Sequence, residues 1–165
     1  MTAILENVIN ALRDELQQYG EMLALLDQQQ AAGRTRGPDD LLSTIHAVNR
    51  QSASIQTSRQ TRENWQRQLA ESLHQDCGAR FMTLSPLLPE HYRPLVNALV
   101  EENNQLLSRV RLRAQENQVM LSQSLDMMQR FLSSLSPEDH SPQVARDETD
   151  LITGSASDSL YEAIA

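Results

Sequence analysis

Residues 94–137 read PLVNALVEENNQLLSRVRLRAQENQVMLSQSLDMMQRFLSSLSP, and the 42 positions between the two terminal prolines contain neither Gly nor Pro. Leu99, Asn103, Leu106, Val110, Ala114, Asn117, Leu121, Leu125 and Met128 follow at steps of four, three, four, four, three, four, four and three. Those steps trace one face of an α-helix, close to an eleven-residue repeat. The spacing predicts a helix from about Tyr92 to Leu135, roughly 65 Å long at 1.5 Å per residue. No compact small domain covers such a rod on every side. The reading is an elongated helical protein whose work is to hold other proteins.

Two further helices precede it. Leu5, Ile9, Leu12, Leu16, Tyr19, Leu23 and Leu26 alternate steps of four and three, a seam that demands a partner helix. Val8, Met22 and Leu25 widen it toward a bundle face. This first helix is predicted over about 2–32, ending in the turn Ala31-Ala32-Gly33-Arg34-Thr35-Arg36-Gly37. Pro38-Asp39-Asp40 then starts a helix well, because proline suits the first helical position and acids complement the dipole. The second helix is predicted over 38–75 on a stripe of Leu41, Ile45, Val48, Ile55, Trp65, Leu69 and Leu73. Ser52, Arg59, Arg62 and Gln66 occupy seam positions, which predicts loose or solvated packing around Ser58 to Asn64. Cys77-Gly78 marks its end, and Pro86, Pro89 and Pro94 punctuate an apolar connection that should cap one end of the bundle. The fold class is all-α: an elongated antiparallel three-helix bundle, coiled-coil-like, forming one helical domain over 1–135. Residues 136–165 hold seven acidic residues and one Arg, a composition that predicts a disordered acidic tail.

Composition bounds the function. The chain has 165 residues, 39% of them apolar and 4% aromatic, enough for a long thin core. A net charge of −8 argues against nucleic acid and against anionic membrane surfaces. All 14 basic residues are Arg. One cysteine, Cys77, excludes an intramolecular disulfide. No apolar run approaches the ~18 residues of a membrane span, and no basic-then-apolar leader opens the sequence, so stable membrane insertion is not expected and the expected location is cytoplasmic.

Chemistry is sparse. Glu71 and His74 have the E-x-x-H spacing of carboxylate-bridged metal bundles, but no second pair accompanies them. His74 and Cys77 would need two further zinc ligands, and only His91 stands near. His46 lies on a predicted helix, yet Asn49 and Arg50 replace the Lys and Gly that follow a phosphotransfer histidine. No phosphate loop, G-x-S-x-G or nucleophile–base pair occurs. The expectation is a protein that is not an enzyme, with no catalytic residue, no cofactor and no metal. Arg109, Arg111 and Arg113 form a basic cluster that is either a solvated face or a contact for an acidic partner. Asn103 and Asn117 interrupt the third stripe, and either fix register or oligomer state at a cost in stability or mark where the stripe turns to solvent.

Two segments are candidates for binding. Met120, Leu121, Leu125, Met127, Met128, Phe131, Leu132 and Leu135 cluster within sixteen residues, and methionine suits a surface that accepts varied apolar shapes. The alternative for these residues is ordinary core packing. In the tail, Leu160, Tyr161 and Ile164 are the only large apolar residues after Ile152, and an aromatic can anchor such a segment in a partner pocket. Shielding of the distal stripe by this tip is a second reading, and an inert end is a third.

Leu88-Pro89-Glu90-His91-Tyr92-Arg93-Pro94-Leu95, followed by Leu99-Val100-Glu101-Glu102-Asn103-Asn104-Gln105-Leu106-Leu107, resembles the FlgN-like flagellar export chaperones, as do Arg109, Asn117, Leu121 and Ser124-Leu125. The resemblance is best over roughly 85–135 and extends elsewhere in general plan, although the second helix is more polar than that plan. It implies a cytoplasmic chaperone of type III protein export. Its clients would be the flagellar hook-associated proteins, whose terminal helical segments it binds and delivers to the export gate. The family's client surface falls on the distal half of the third helix, and the gate's cytoplasmic domain is a partner for the tail tip. The rival readings are a self-associating coiled-coil scaffold and a histidine phosphotransfer bundle.

Overall fold

The structure, a computed structural model, describes residues 2–35 and 38–135. The tail expectation over 136–165 therefore lies outside the described residues. Among the described residues every regular element is helical: α1 (Thr2–Thr35), α2 (Pro38–Ser72), α3 (Phe81–Leu84) with a 3₁₀ turn at Ser85–Leu87, and α4 (Arg93–Leu135). None of these helices is long and apolar enough to cross a membrane.

Two boundaries differ from the sequence reading. The first helix continues past Ala32 to Thr35, because a lone glycine costs a helix only about 1 kcal/mol. The second stops at Ser72, short of Gln75. There His74 adopts φ 56°, the left-handed conformation, and the backbone closes with Gln75 N–H donating to Ala70 O at 2.9 Å and His74 N–H to Glu71 O at 3.1 Å. This paired arrangement satisfies the last carbonyls of a helix, and it usually employs glycine. His74 thus leaves the helix, and the helical face it was to share with Glu71 does not exist.

The chain divides into two compact units. The first comprises Met1–Ala24 and Ala53–Val110. Its core gathers Leu5, Val8, Ile9 and Leu12 of α1, Leu69 and Ala70 of α2, Leu84 and Leu88 of the connection, and Val96 and Leu99 of α4. The proline-rich connection packs onto these helices through the buried Leu84 and Leu88, with Pro86 inside the 3₁₀ turn and Pro94 in the first turn of α4, where its missing N–H costs no helical bond.

The polar middle of α2 is not loose. Glu15 of α1 is only 4% exposed. Its Oε1 accepts a hydrogen bond from Tyr19 Oη at 2.7 Å, and its Oε2 accepts one from Arg62 Nε at 2.7 Å. Arg59 Nε stands 3.8 Å from Oε1. Arg62 Nη1 also donates to Gln66 Oε1 at 2.7 Å, and Gln66 Nε2 donates to Ala79 O at 2.8 Å. The seam arginines of α2 therefore surround one buried carboxylate, and the chain of bonds ties α1 to α2 and α2 to the connection. A buried charge is tolerable only when paired and hydrogen-bonded in this way.

The second unit comprises Leu25–Ser52 and the chain from Arg111. Its buried positions include Leu26, Gln29, Ala32, Val48 and Asn117.

Three outcomes follow. Glu15→Ala leaves Arg62 Nε and the Tyr19 hydroxyl without their shared acceptor, although Arg62 keeps Gln66 and Glu63, and should cost about 3 kcal/mol in urea denaturation. Burial first, then the charge and hydrogen bond of Glu15, raise the pKa of Tyr19 far above its ordinary value of 10.0. The unfolded chain then ionises this tyrosine while the folded chain does not. Stability should therefore be constant below pH 10 and fall as pH rises beyond it, and Tyr19→Phe should flatten that fall. His74→Gly removes a left-handed non-glycine residue, and should raise stability by about 0.5–1 kcal/mol in the same denaturation assay.

Candidate functional site

The distal part of α4 holds the candidate face, and asparagines determine where it sits. In the first unit, Asn103 Nδ2 donates to Leu12 O of α1 at 3.0 Å and to Leu99 O at 2.9 Å. In the second, Asn117 Nδ2 donates to Leu26 O at 2.7 Å and to Gln29 Oε1 at 3.0 Å. The separation is 91 residues in both contacts to α1 carbonyls. Both asparagines are buried, Asn117 to 1%. The solvent alternative for these positions is thereby set aside, and register is what they specify. Each leaves its buried Oδ1 without a hydrogen-bond partner, so the specification carries a cost in stability.

Within the second unit α1 and α4 run in the same direction. Arg113 Nη1 reaches Asp27 Oδ1 at 2.7 Å and Gln30 Oε1 at 3.0 Å, and Arg113 Nε lies 3.2 Å from Glu116 Oε2. Further along, a Cβ on Gly33 would come within 2.5 Å of Met120 Cε. Gly33 is therefore a notch that seats the Met120 side chain. Arg113, one member of the basic cluster, is engaged by acids of its own unit.

The offset of 91 sets Thr35, the last residue of α1, level with residue 126. The nine residues Met127–Leu135 extend past it by about 13 Å at 1.5 Å per residue. The exposure of the apolar side chains follows this geometry. Met120 and Leu121 are half-buried. Leu125 is 39% exposed, Met127 72%, and Phe131 and Leu132 63% each, with Met128 also exposed. Leu121, Leu125, Met128 and Leu132 share the face that is buried at Val110 and Asn117. The inner stripe of α4 thus continues beyond its covering helix. Leu112 and Val119, also exposed, line an open groove of about 660 Å³ with Gln30 and Met120.

Of the eight candidate residues on α4, five are exposed and two half-buried, while the side chain of Leu135 lies outside the described residues. Leu160, Tyr161 and Ile164 also lie outside them. Sequence reading did not find Leu112 and Val119, because they stand off the stripe and only the groove beside α1 brings them together with Gln30 and Met120.

The other candidates stay apart. Glu71, His74, Cys77, His91 and His46 are exposed. Cys77 Sγ lies 3.6 Å from Glu71 Oε1. Among the described residues no three His, Cys, Asp or Glu side chains gather as a metal ion would need.

The family model described as FlgN protein matches residues 1–148. No curated protein and no solved structure matches the chain.

If the distal face is a surface and not a core, its residues contribute little to folding. Leu125→Ser, Met128→Ser and Phe131→Ser should each shift stability by less than about 0.5 kcal/mol. Asn117→Ala removes two buried hydrogen bonds and should cost about 2 kcal/mol. Urea denaturation of the four variants checks both.

Proposed function

This chain belongs to the FlgN family, and on that premise we propose that it is a cytoplasmic, non-enzymatic chaperone of type III flagellar export that binds helical terminal segments of hook-associated proteins. The observation that carries this reading is the apolar stripe of α4 running uncovered past the end of α1. A free amphipathic segment exposes its apolar face to water. Docking that face on Leu125, Met128, Phe131 and Leu132 removes both surfaces from water, at about 25 cal/mol per Å² before ordering costs. Met127 and Met128 supply flexible, polarizable contacts that tolerate more than one client shape.

In this reading the three long helices form an antiparallel bundle over 1–135 that presents α4 to clients, and the chemistry needs no catalytic group. Delivery to the export gate falls to the tail, with Leu160, Tyr161 and Ile164 as the gate contact. The half-buried Met120 and Leu121 form the inner limit of the client site.

The test is capture of purified hook-associated proteins and of their isolated terminal segments. Leu125→Asp with Met128→Asp should lower client affinity at least a hundredfold while helicity and melting temperature stay near those of the parent chain. Unchanged capture by the double variant would remove this face from the client site.

A further inference from the structure

We propose that a second face of distal α4, formed by Leu112, Glu116, Val119, Gln123, Met127 and Arg130, pairs antiparallel with the same face of a second copy of this chain. These residues follow at steps of four, three, four, four and three, so they share one side of the helix. That side lies roughly 160° round the helix from the stripe of Val110, Asn117, Leu121, Leu125, Met128 and Leu132. Every one of the side chains on it is exposed.

The order of residue types selects the occupant. A two-fold interface requires that where residue i meets residue j, j also meets i. Antiparallel pairing centred on Gln123 sets residues equally distant from it opposite one another. Val119 and Met127 each stand four residues from Gln123, and Glu116 and Arg130 each stand seven. Apolar therefore meets apolar and acid meets base, each twice by symmetry. Leu112 of one copy falls within one turn of Phe131 of the other. A parallel pairing would instead set Glu116 against Glu116 and Arg130 against Arg130.

The charged groups are available for this contact. Arg113 stands 2.7 Å from Asp27 Oδ1 and 3.2 Å from Glu116 Oε2, so one guanidinium serves two carboxylates. Glu116 is about half exposed and can take a second cation. No ion pair engages Arg130 among the described residues. Shape agrees with charge. Met127 of one copy lies opposite Val119 of the other, and so enters the open groove that Val119 lines with Leu112, Met120 and Gln30. With Phe131, the exposed parts of these side chains offer on the order of 800 Å² per copy, the share of each partner in a standard stable interface. The pairing leaves Leu125, Met128 and Leu132 on the opposite side of the helix, and it does not rest on the chaperone reading above.

Sedimentation velocity of the full chain over a concentration series should show a monomer–dimer equilibrium in the micromolar range. Glu116→Arg and Arg130→Glu each create two like-charge pairs across the two-fold axis, and each should weaken dimerisation roughly tenfold or more. Mixed in equal amounts, the two variants supply the charges each other lacks. The mixture should form a heterodimer within about threefold of the parent affinity, which also shows that both variants are folded. In a Cys77→Ser background, Gln123→Cys should cross-link to itself through a short bismaleimide, and Gln118→Cys, exposed on another side of the helix, should not. A parent that stays monomeric at every concentration would overturn the proposal. So would a dimer that the single variants leave intact, a mixture no tighter than its components, or equal cross-linking at both positions.

Discussion

The hydrogen bond from Asn117 to the carbonyl of Leu26 is the constraint on which the candidate site depends. A wholly apolar seam between two helices could slide by a heptad with modest loss, since leucine meets leucine at either register. An asparagine amide buried in that seam cannot slide, because moving it strands its donors. At the observed offset its donors meet Leu26 O and Gln29 Oε1 while its Oδ1 stays unpartnered, and that offset leaves the end of α4 uncovered. Gly33 completes the arrangement by leaving room for the Met120 side chain beside that stripe.

In the first unit a different device serves a similar end. The carboxylate of Glu15 is held by Tyr19 on its own helix and by Arg62 on the neighbouring one, with Arg59 close by. Such a cluster is a poor source of net stability, since desolvation offsets most of its attraction. Arg59 and Arg62 also meet Glu63 on their own helix, so it is the buried Glu15 carboxylate that depends on the placement of α2 for a cation. Gln66 then passes the constraint to the connection at Ala79. Polar residues, not additional apolar area, determine how these helices pair.

The apolar end of α4 carries the opposite logic. Its exposed Leu, Met and Phe side chains contribute little to folding, and a monomeric protein has no folding reason to display them together. A chaperone for helical segments has such a reason. On the proposed reading, the face must be apolar enough to bind a segment and small enough to release it.

How much of this was legible in sequence depends on whether local periodicity or a distant partner decides the matter. The all-α class, the three long helices and the apolar run from Met120 to Leu135 were readable, because helical spacing of apolar residues is a local property of the chain. The FlgN resemblance was readable over roughly 85–135, where the proline-punctuated entry and the E-x-N-x-x-L-L segment lie. The end of α2 was not, because Cys77-Gly78 looked like the stop, whereas a histidine takes the left-handed position earlier. The polar middle of α2 was misread as loose, because nothing near Arg59 or Arg62 in sequence reveals that Glu15, more than forty residues away, is buried against them. Asn103 and Asn117 were visible as interruptions with two meanings. Only the tertiary structure, by placing the carbonyls of Leu12 and Leu26 beside them, decided for register, since a buried amide must bond to whatever backbone the neighbouring helix offers.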